Sequence, residues 1–282
     1  MVIFRSFRVL SGILLAVIVF YLFLNKYFLD IYSFINDSLV DNPEYRLVMS
    51  RKLPCAGNLT SLTWVPEENV LVATLNQPTS VVKISTNGEV ISRSGLGFIE
   101  DAESVEYIGH NKIALLDEKN AILHIINLSN IRPDRPEKSI DLQMIEPQNS
   151  HDFEDMAWDP QHNMIYIARE HQPTGLYAVR LDPANNISGV SNYEYMLDNI
   201  RLKDISGLNY NHNQLLVLSD ESKMLLQMDS GGRVTARLSL TRGNFGLNSD
   251  MPQPEGVAAD KDGNIYVVSK PNLFYKLAPA SL

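Results

Sequence analysis

Hydrophobic and polar positions alternate with a period near two along most of the chain, in short bursts broken by Asn, Asp and Gly. That period marks β-strands with one face buried, not helices. Five segments share one pattern: NLTSLTWVPEENVLVATL from Asn58, DAESVEYIGHNKIALLD from Asp101, DFEDMAWDPQHNMIYIAR from Asp152, DISGLNYNHNQLLVLSD from Asp204 and QPEGVAADKDGNIYVVSK from Gln253. Each reads as an alternating strand, a polar turn, and a second strand rich in Val, Ile, Leu and Tyr. A third apolar stretch follows every time: SVVKI from Ser80, ILHII from Ile122, GLYAV from Gly175, MLLQM from Met224 and LFYKL from Leu273. Four of the five units continue into a fourth strand-like piece, such as EVISR from Glu89 or RVTARLSL from Arg233.

With Thr60, Glu103, Glu154, Ser206 and Glu255 set as position zero, the units recur at spacings of 43, 51, 52 and 49 residues. Such spacings suit four-stranded propeller blades. The pattern predicts an all-β, five-bladed β-propeller over residues 45–282, with a six-bladed ring as the alternative. Only 27 residues follow Glu255, enough for three strands. The missing outer strand of the fifth unit is therefore expected from YRLVMSRKL, Tyr45 to Leu53, which closes the ring and removes exposed edges.

The first residues follow a different rule. Val9 to Leu24 carries no charge and is dominated by Leu, Ile, Val and Phe, and Tyr27, Phe28 and Leu29 extend it. A span of roughly 20 residues crosses a bilayer, so residues 1–29 are expected to hold one transmembrane helix, with 30–44 as a tether. Large residues occupy the place where a signal peptide would be cleaved, which favours an uncleaved anchor. Arg5 and Arg8 precede the run, while Asp30, Asp37 and Asp41 follow it. The positive-inside rule then places the propeller outside the cytoplasmic membrane, in the periplasm of a Gram-negative cell. A net charge of -9, with no cluster of Lys and Arg, excludes a nucleic-acid partner. The single cysteine, Cys55, cannot form an intramolecular disulfide, and its expected role is structural.

Candidate chemistry follows from the repeat. In a propeller the start of the inner strand and the loop between the second and third strands share one face of the ring. Glu103, Glu154 and Glu255 at position zero, with Asp101, Asp152 and Asp204 two residues earlier, could place six carboxylates around one channel mouth. Their repulsion calls for protons, water or a cation, and calcium suits flexible oxygen ligation. For each carboxylate taken singly, a turn or strand-entry role is the competing reading. Loop charges at Asp117, Glu118, Lys119, Arg169, Glu170, Asp220, Glu221 and Lys270 could grip a small polar ligand or be simply solvated. The aromatics four positions on, Trp64, Tyr107, Trp158 and Tyr210, are expected to pack between blades. No nucleophile motif occurs, and His151 beside Asp152 is the one candidate general base.

The segments HDFEDMAWDPQHNMIYIARE and QPEGVAADKDGNIYVVSK, with the order of all five units, resemble the SdiA-regulated family of bacterial propellers. The resemblance implies an anchored, envelope-associated protein with a link to calcium response and a distant likeness to phytase-like propeller hydrolases. The family's acidic inner-strand position is matched at Glu103, Glu154 and Glu255 and departs at Thr60 and Ser206. Three functions are therefore carried forward: a calcium-responsive module binding a ligand or envelope protein, a calcium-dependent phosphoesterase or lactonase, and an envelope scaffold.

Overall fold

The computed structural model describes residues 20, 21, 24, 45–55, 57–143, 145, 152–170, 175–197, 200 and 202–280. The chain divides into two compact units, Met1–Asp41 and Asn42–Leu282. Nearly all of the expected anchor and all of the tether lie outside the described residues. Among the described residues no helix is long and apolar enough to cross a membrane.

The second unit opens with β1 (Tyr45–Lys52) and then builds sheets of four antiparallel strands in sequence order. The first blade is β2 (Asn58–Val65), β3 (Val70–Asn76), β4 (Ser80–Ser85) and β5 (Val90–Gly95). The second is β6 (Ala102–Gly109), β7 (Lys112–Asp117), β8 (Ile122–Asn127) and β9 (Lys138–Asp141). The third is β10 (Phe153–Asp159), β11 (Met164–Arg169), β12 (Gly175–Leu181) and β13 (Ile187–Asn192), and the fourth is β14 (Gly207–Asn211), β15 (Gln214–Ser219), β16 (Met224–Met228) and β17 (Val234–Ser239). The fifth holds β18 (Pro254–Ala259), β19 (Ile265–Ser269) and β20 (Leu273–Pro279), and β1 completes it as the outer strand. Inner strands β2, β6, β10, β14 and β18 touch in a closed cycle. The described residues thus form five blades, not six.

Alternation along each strand fills the space between neighbouring blades. Five apolar clusters result, one per blade interface; Ile125, Ile165 and Val179, for example, meet between the second and third blades. Tyr107, Trp158, Tyr210 and Trp64 all pack into or against these clusters, as their repeat position predicts. Closure between the ends is pinned by Asn272. Its side chain accepts from Leu59 N–H at 3.0 Å and donates to Cys55 O at 2.9 Å, while its own carbonyl accepts from Leu53 N–H at 2.8 Å.

An inner strand has no neighbour on the axis side, so its edge amides need other acceptors. Side chains of the preceding blade supply them. Thr63 Oγ1 accepts from Tyr107 N–H (3.1 Å), Ser104 Oγ from Met156 N–H (3.1 Å) and Glu106 Oε1 from Trp158 N–H (3.2 Å). Asp155 Oδ2 accepts from Leu208 N–H (2.7 Å), and Asn209 Oδ1 from Ala259 N–H (3.2 Å). In repeat terms, a polar side chain at position plus one or plus three serves the amide one residue further along in the next blade. Gly256 takes position plus one in the fifth blade because a Cβ there would lie 2.7 Å from Leu62 N and 2.8 Å from Ser61 Cα.

Candidate functional site at the channel mouth

Position zero has a specific backbone cause. The inner-strand register slips between Leu59 and Ser61, Ala102 and Ser104, Phe153 and Asp155, and Pro254 and Gly256. Thr60, Glu103, Glu154 and Glu255 are therefore the extra residues of β-bulges, which unpair a residue and re-aim its side chain. In the fourth blade β14 starts only at Gly207, and Ser206 lies just before it. Thr60 and Ser206 use their short hydroxyls to clasp the next blade, donating to Ala102 O and Pro254 O, both at 2.8 Å. Where the residue is Glu, the longer side chain carries its carboxylate to the mouth.

The loops behave as the repeat requires. Glu118 N–H donates to Asp101 O, Glu170 N–H to Asp152 O and Lys270 N–H to Gln253 O, at 3.0, 3.2 and 3.0 Å. These contacts hold each loop beside the entry of its inner strand. Asp101, Glu103 and Glu118 then offer carboxylate oxygens that all lie within 4.8 Å of one another. Asn76 binds Asp101 and reaches Glu103 Oε1 at 3.2 Å, while its own buried Oδ1 has no partner among the described residues. Lys270 Nζ pairs with Glu255 Oε2 at 3.0 Å.

Charge crowding shows in the proton affinities. Burial, then Asp101 and Glu118, push the Glu103 carboxyl up to about 8. Burial, Asp101, Asp152 and Glu170 push Glu118 up to about 7. Glu154 stands well above the carboxylate range through burial and the charges of Glu170, Glu103, Glu255 and Glu118. Burial also raises Glu255, against the pull of Lys270. Burial opposes the Lys270 ammonium, but Glu255, Glu103 and Glu154 outweigh it and hold Lys270 charged. Carboxyls of the second, third and fifth blades therefore feel one another across the opening, and at neutral pH the cup retains protons unless a cation enters.

Two expected members sit elsewhere. Asp204 is buried and accepts from Ser219 Oγ, Asp220 N–H and Glu221 N–H, so its carboxylate is taken up in closing the β15–β16 turn. Asp117 is buried within its own blade. Asp152 is exposed near Glu118, and His151 lies outside the described residues. A residue not singled out from the sequence closes the shaft instead. Asp155 accepts from Ser61 Oγ (2.9 Å), Ser104 Oγ and Leu208 N–H, joining four of the five blades through one carboxylate. Burial lifts it to about 7 against the pull of these bonds. Its signal was present at position plus one, where an Asp stands among Ser61, Ser104, Gly207 and Gly256.

These features define a five-bladed β-propeller with an acidic, proton-retaining mouth above a plugged axis. Within that class the chain belongs to the SdiA-regulated family, whose model matches residues 37–278. Similar solved structures include the glutaminyl cyclase of Myxococcus xanthus, 12% identical, with a TM-score of 0.62 over 84% of this chain and 97% of that one. Another is the virginiamycin B lyase of Staphylococcus aureus, 10% identical, with a TM-score of 0.52 over 83% of this chain and 99% of that one. At such identities the likeness is one of fold.

Proposed function

We propose that this protein is a membrane-anchored, calcium-responsive binding module of the cell envelope, with the propeller mouth as its receptor site. The observation that carries the reading is the convergence of Asp101, Glu103 and Glu118 within 4.8 Å. Two of these groups are pushed up to about 8 and about 7, and a divalent cation relieves that strain as well as a proton does. Calcium fits the donor set of the Asp101, Glu103 and Glu118 carboxylates, hard oxygen ligands on loops and a bulge. Lys270, on the opposite side of the charge balance, supplies a fixed cation for an anionic group of a ligand or envelope protein seated over the mouth. The apolar run Val9 to Leu24 serves as the anchor that keeps the module at the membrane, facing the periplasm.

Calorimetric titration of calcium into the metal-stripped full chain tests this, alongside Glu103→Gln/Glu118→Gln. Saturable binding that disappears in the double variant supports it. Equal binding by the variant, or none by folded wild type, refutes it. A second reading, a calcium-dependent phosphoesterase or lactonase, rests on Glu154, a carboxyl whose proton affinity burial and the charges of Glu170, Glu103, Glu255 and Glu118 raise beside the cluster, and on its use as a proton donor. Turnover of phosphoester or lactone substrates that needs calcium and is lost in Glu154→Gln is its requirement.

A further inference from the structure

A second polar assembly runs outward from beside the mouth cluster on three adjacent strands of the second blade. Its inner end is Asp117, next to Glu118 in sequence, and Asp117 Oδ2 accepts from Asn120 Nδ2 at 2.9 Å. Ser139 on β9 faces His124 on β8, and its Oγ is 2.9 Å from His124 Nδ1. On the other side of the ring His124 Nε2 looks at Asp117 Oδ2 of β7 from 3.9 Å. His124 and Asp117 are buried, at 5% and 1% exposure, while Ser139 is open to solvent. Phe98 stands edge-on to the imidazole at 5.3 Å and fixes its plane.

A purely structural network satisfies its buried atoms. This one does not: among the described residues, His124 Nε2 and Asp117 Oδ1 are both buried without a hydrogen-bond partner. A base role for His124 uses one tautomer, in which Nδ1 accepts the Ser139 proton and Nε2 carries its hydrogen toward the Asp117 carboxylate. Burial keeps the imidazole neutral by lowering its proton affinity, against the pull of Asp117, and a neutral imidazole is the form a general base requires. Relays of this kind are long when no substrate is bound and tighten on binding.

The strand register supplies the remaining part. Leu142 N–H donates to Ala121 O at 2.9 Å. Counted from that pair, antiparallel alternation makes Ser139–His124 a non-hydrogen-bonded pair, with close side chains and amides turned away from each other. Since β9 is the outer strand, the Ser139 N–H faces outward, where it can hold an oxyanion formed on its own side chain.

We propose that Ser139 is an activated acyl-accepting nucleophile for small esters, with His124 as base and Asp117 as the positioning residue. Ser139 Oγ attacks the carbonyl carbon while its proton passes to His124 Nδ1. The carbon–oxygen bond to the leaving alkoxide breaks, and that alkoxide takes the proton from Nδ1. Water then repeats the sequence, releasing the acid and restoring Ser139. One oxyanion donor is fewer than efficient acyl-transfer enzymes use, and a missing donor costs about 10²–10³ in rate. Stoichiometric acylation with slow turnover is the expected behaviour.

The test is a fluorophosphonate probe applied to the folded full chain, with mass mapping of the adduct. The expected result is one adduct on Ser139, absent in Ser139→Ala, retained when an exposed serine of β13 is removed in Ser191→Ala, and unaffected by EDTA, which separates this site from the calcium reading. The labelling rate rises with pH to a plateau with its midpoint below the ordinary histidine value, and Asp117→Asn moves that midpoint lower still. No adduct on Ser139, or a rate that climbs with hydroxide and never levels, overturns the proposal.

Discussion

Asp155→Ala is the substitution that tests the architecture most directly. The carboxylate is fully buried and holds two hydroxyls and one amide from three other blades. Removal strands the Leu208 amide, at about 1–3 kcal/mol, and ends two charge-assisted bonds, each worth about 1.5–3 kcal/mol. Part of this is offset, because an ion whose carboxyl is pushed up to about 7 was already unfavourably buried. The net expectation is a loss of about 3–5 kcal/mol, in line with breaking a buried charged network. Such a loss is a large share of the roughly 5–15 kcal/mol that holds a domain folded. Urea unfolding near pH 8, followed by the fluorescence of Trp64 and Trp158, reads it directly. Asp155→Asn keeps the volume but turns an NH₂ toward a donor and should lose about 2 kcal/mol. In a double-mutant cycle with Ser61→Ala, the coupling should exceed about 1 kcal/mol. A loss below about 1 kcal/mol for Asp155→Ala, or full additivity in the cycle, refutes the idea that this carboxylate ties the blades together.

Gly256→Ala drives a methyl group into the backbone of Ser61 and Leu62, so thermal unfolding should show a loss at the upper end of the roughly 1–3 kcal/mol typical of overpacking. The Glu103 carboxyl, at about 8 in the folded protein against 4.5 when free, binds a proton in the folded state that the unfolded chain releases. Without calcium, stability should therefore fall as pH rises from about 4.5 to about 8, by at most about 5 kcal/mol for this group. Melting scans near pH 5 and pH 9 should show calcium raising the midpoint mainly at the higher pH; an equal effect at both would refute the linkage. Among the described residues Glu106 Oε2 is buried without a partner, and burial holds the carboxyl well above its usual range. Glu106→Gln keeps the acceptor for Trp158 N–H and should flatten the alkaline part of the same profile, with little change near pH 5.

The fold was legible because strand alternation repeats on a fixed spacing, and because the shortfall after Glu255 demanded a strand that Tyr45–Lys52 provides. The acidic position was legible too, but not its cause: a bulge leaves no mark in composition, and the same slot holds Thr60 where a clasp is needed. Asp204 misled because its spacing matches Asp101, yet the fourth blade begins its inner strand after Ser206, and the carboxylate turns back to cap a loop. Asp155 and the Ser139–His124–Asp117 set depend on contacts between strands and across the axis. Residues so far apart in sequence show no local period, so motif searching had nothing to register.

The fifth blade gives synthesis an unusual order. β1 leaves the ribosome before every other strand of the ring, yet its partner β20 is the last strand made, with Tyr45 matched to Pro279. Four blades can form while β1 waits with its backbone unpaired, and the two interfaces of the fifth blade cannot fill until Phe274 and Leu277 arrive. Until β20 is made, the ring cannot close and β1 lacks its partner. During that interval, protection from aggregation must come from outside the fold.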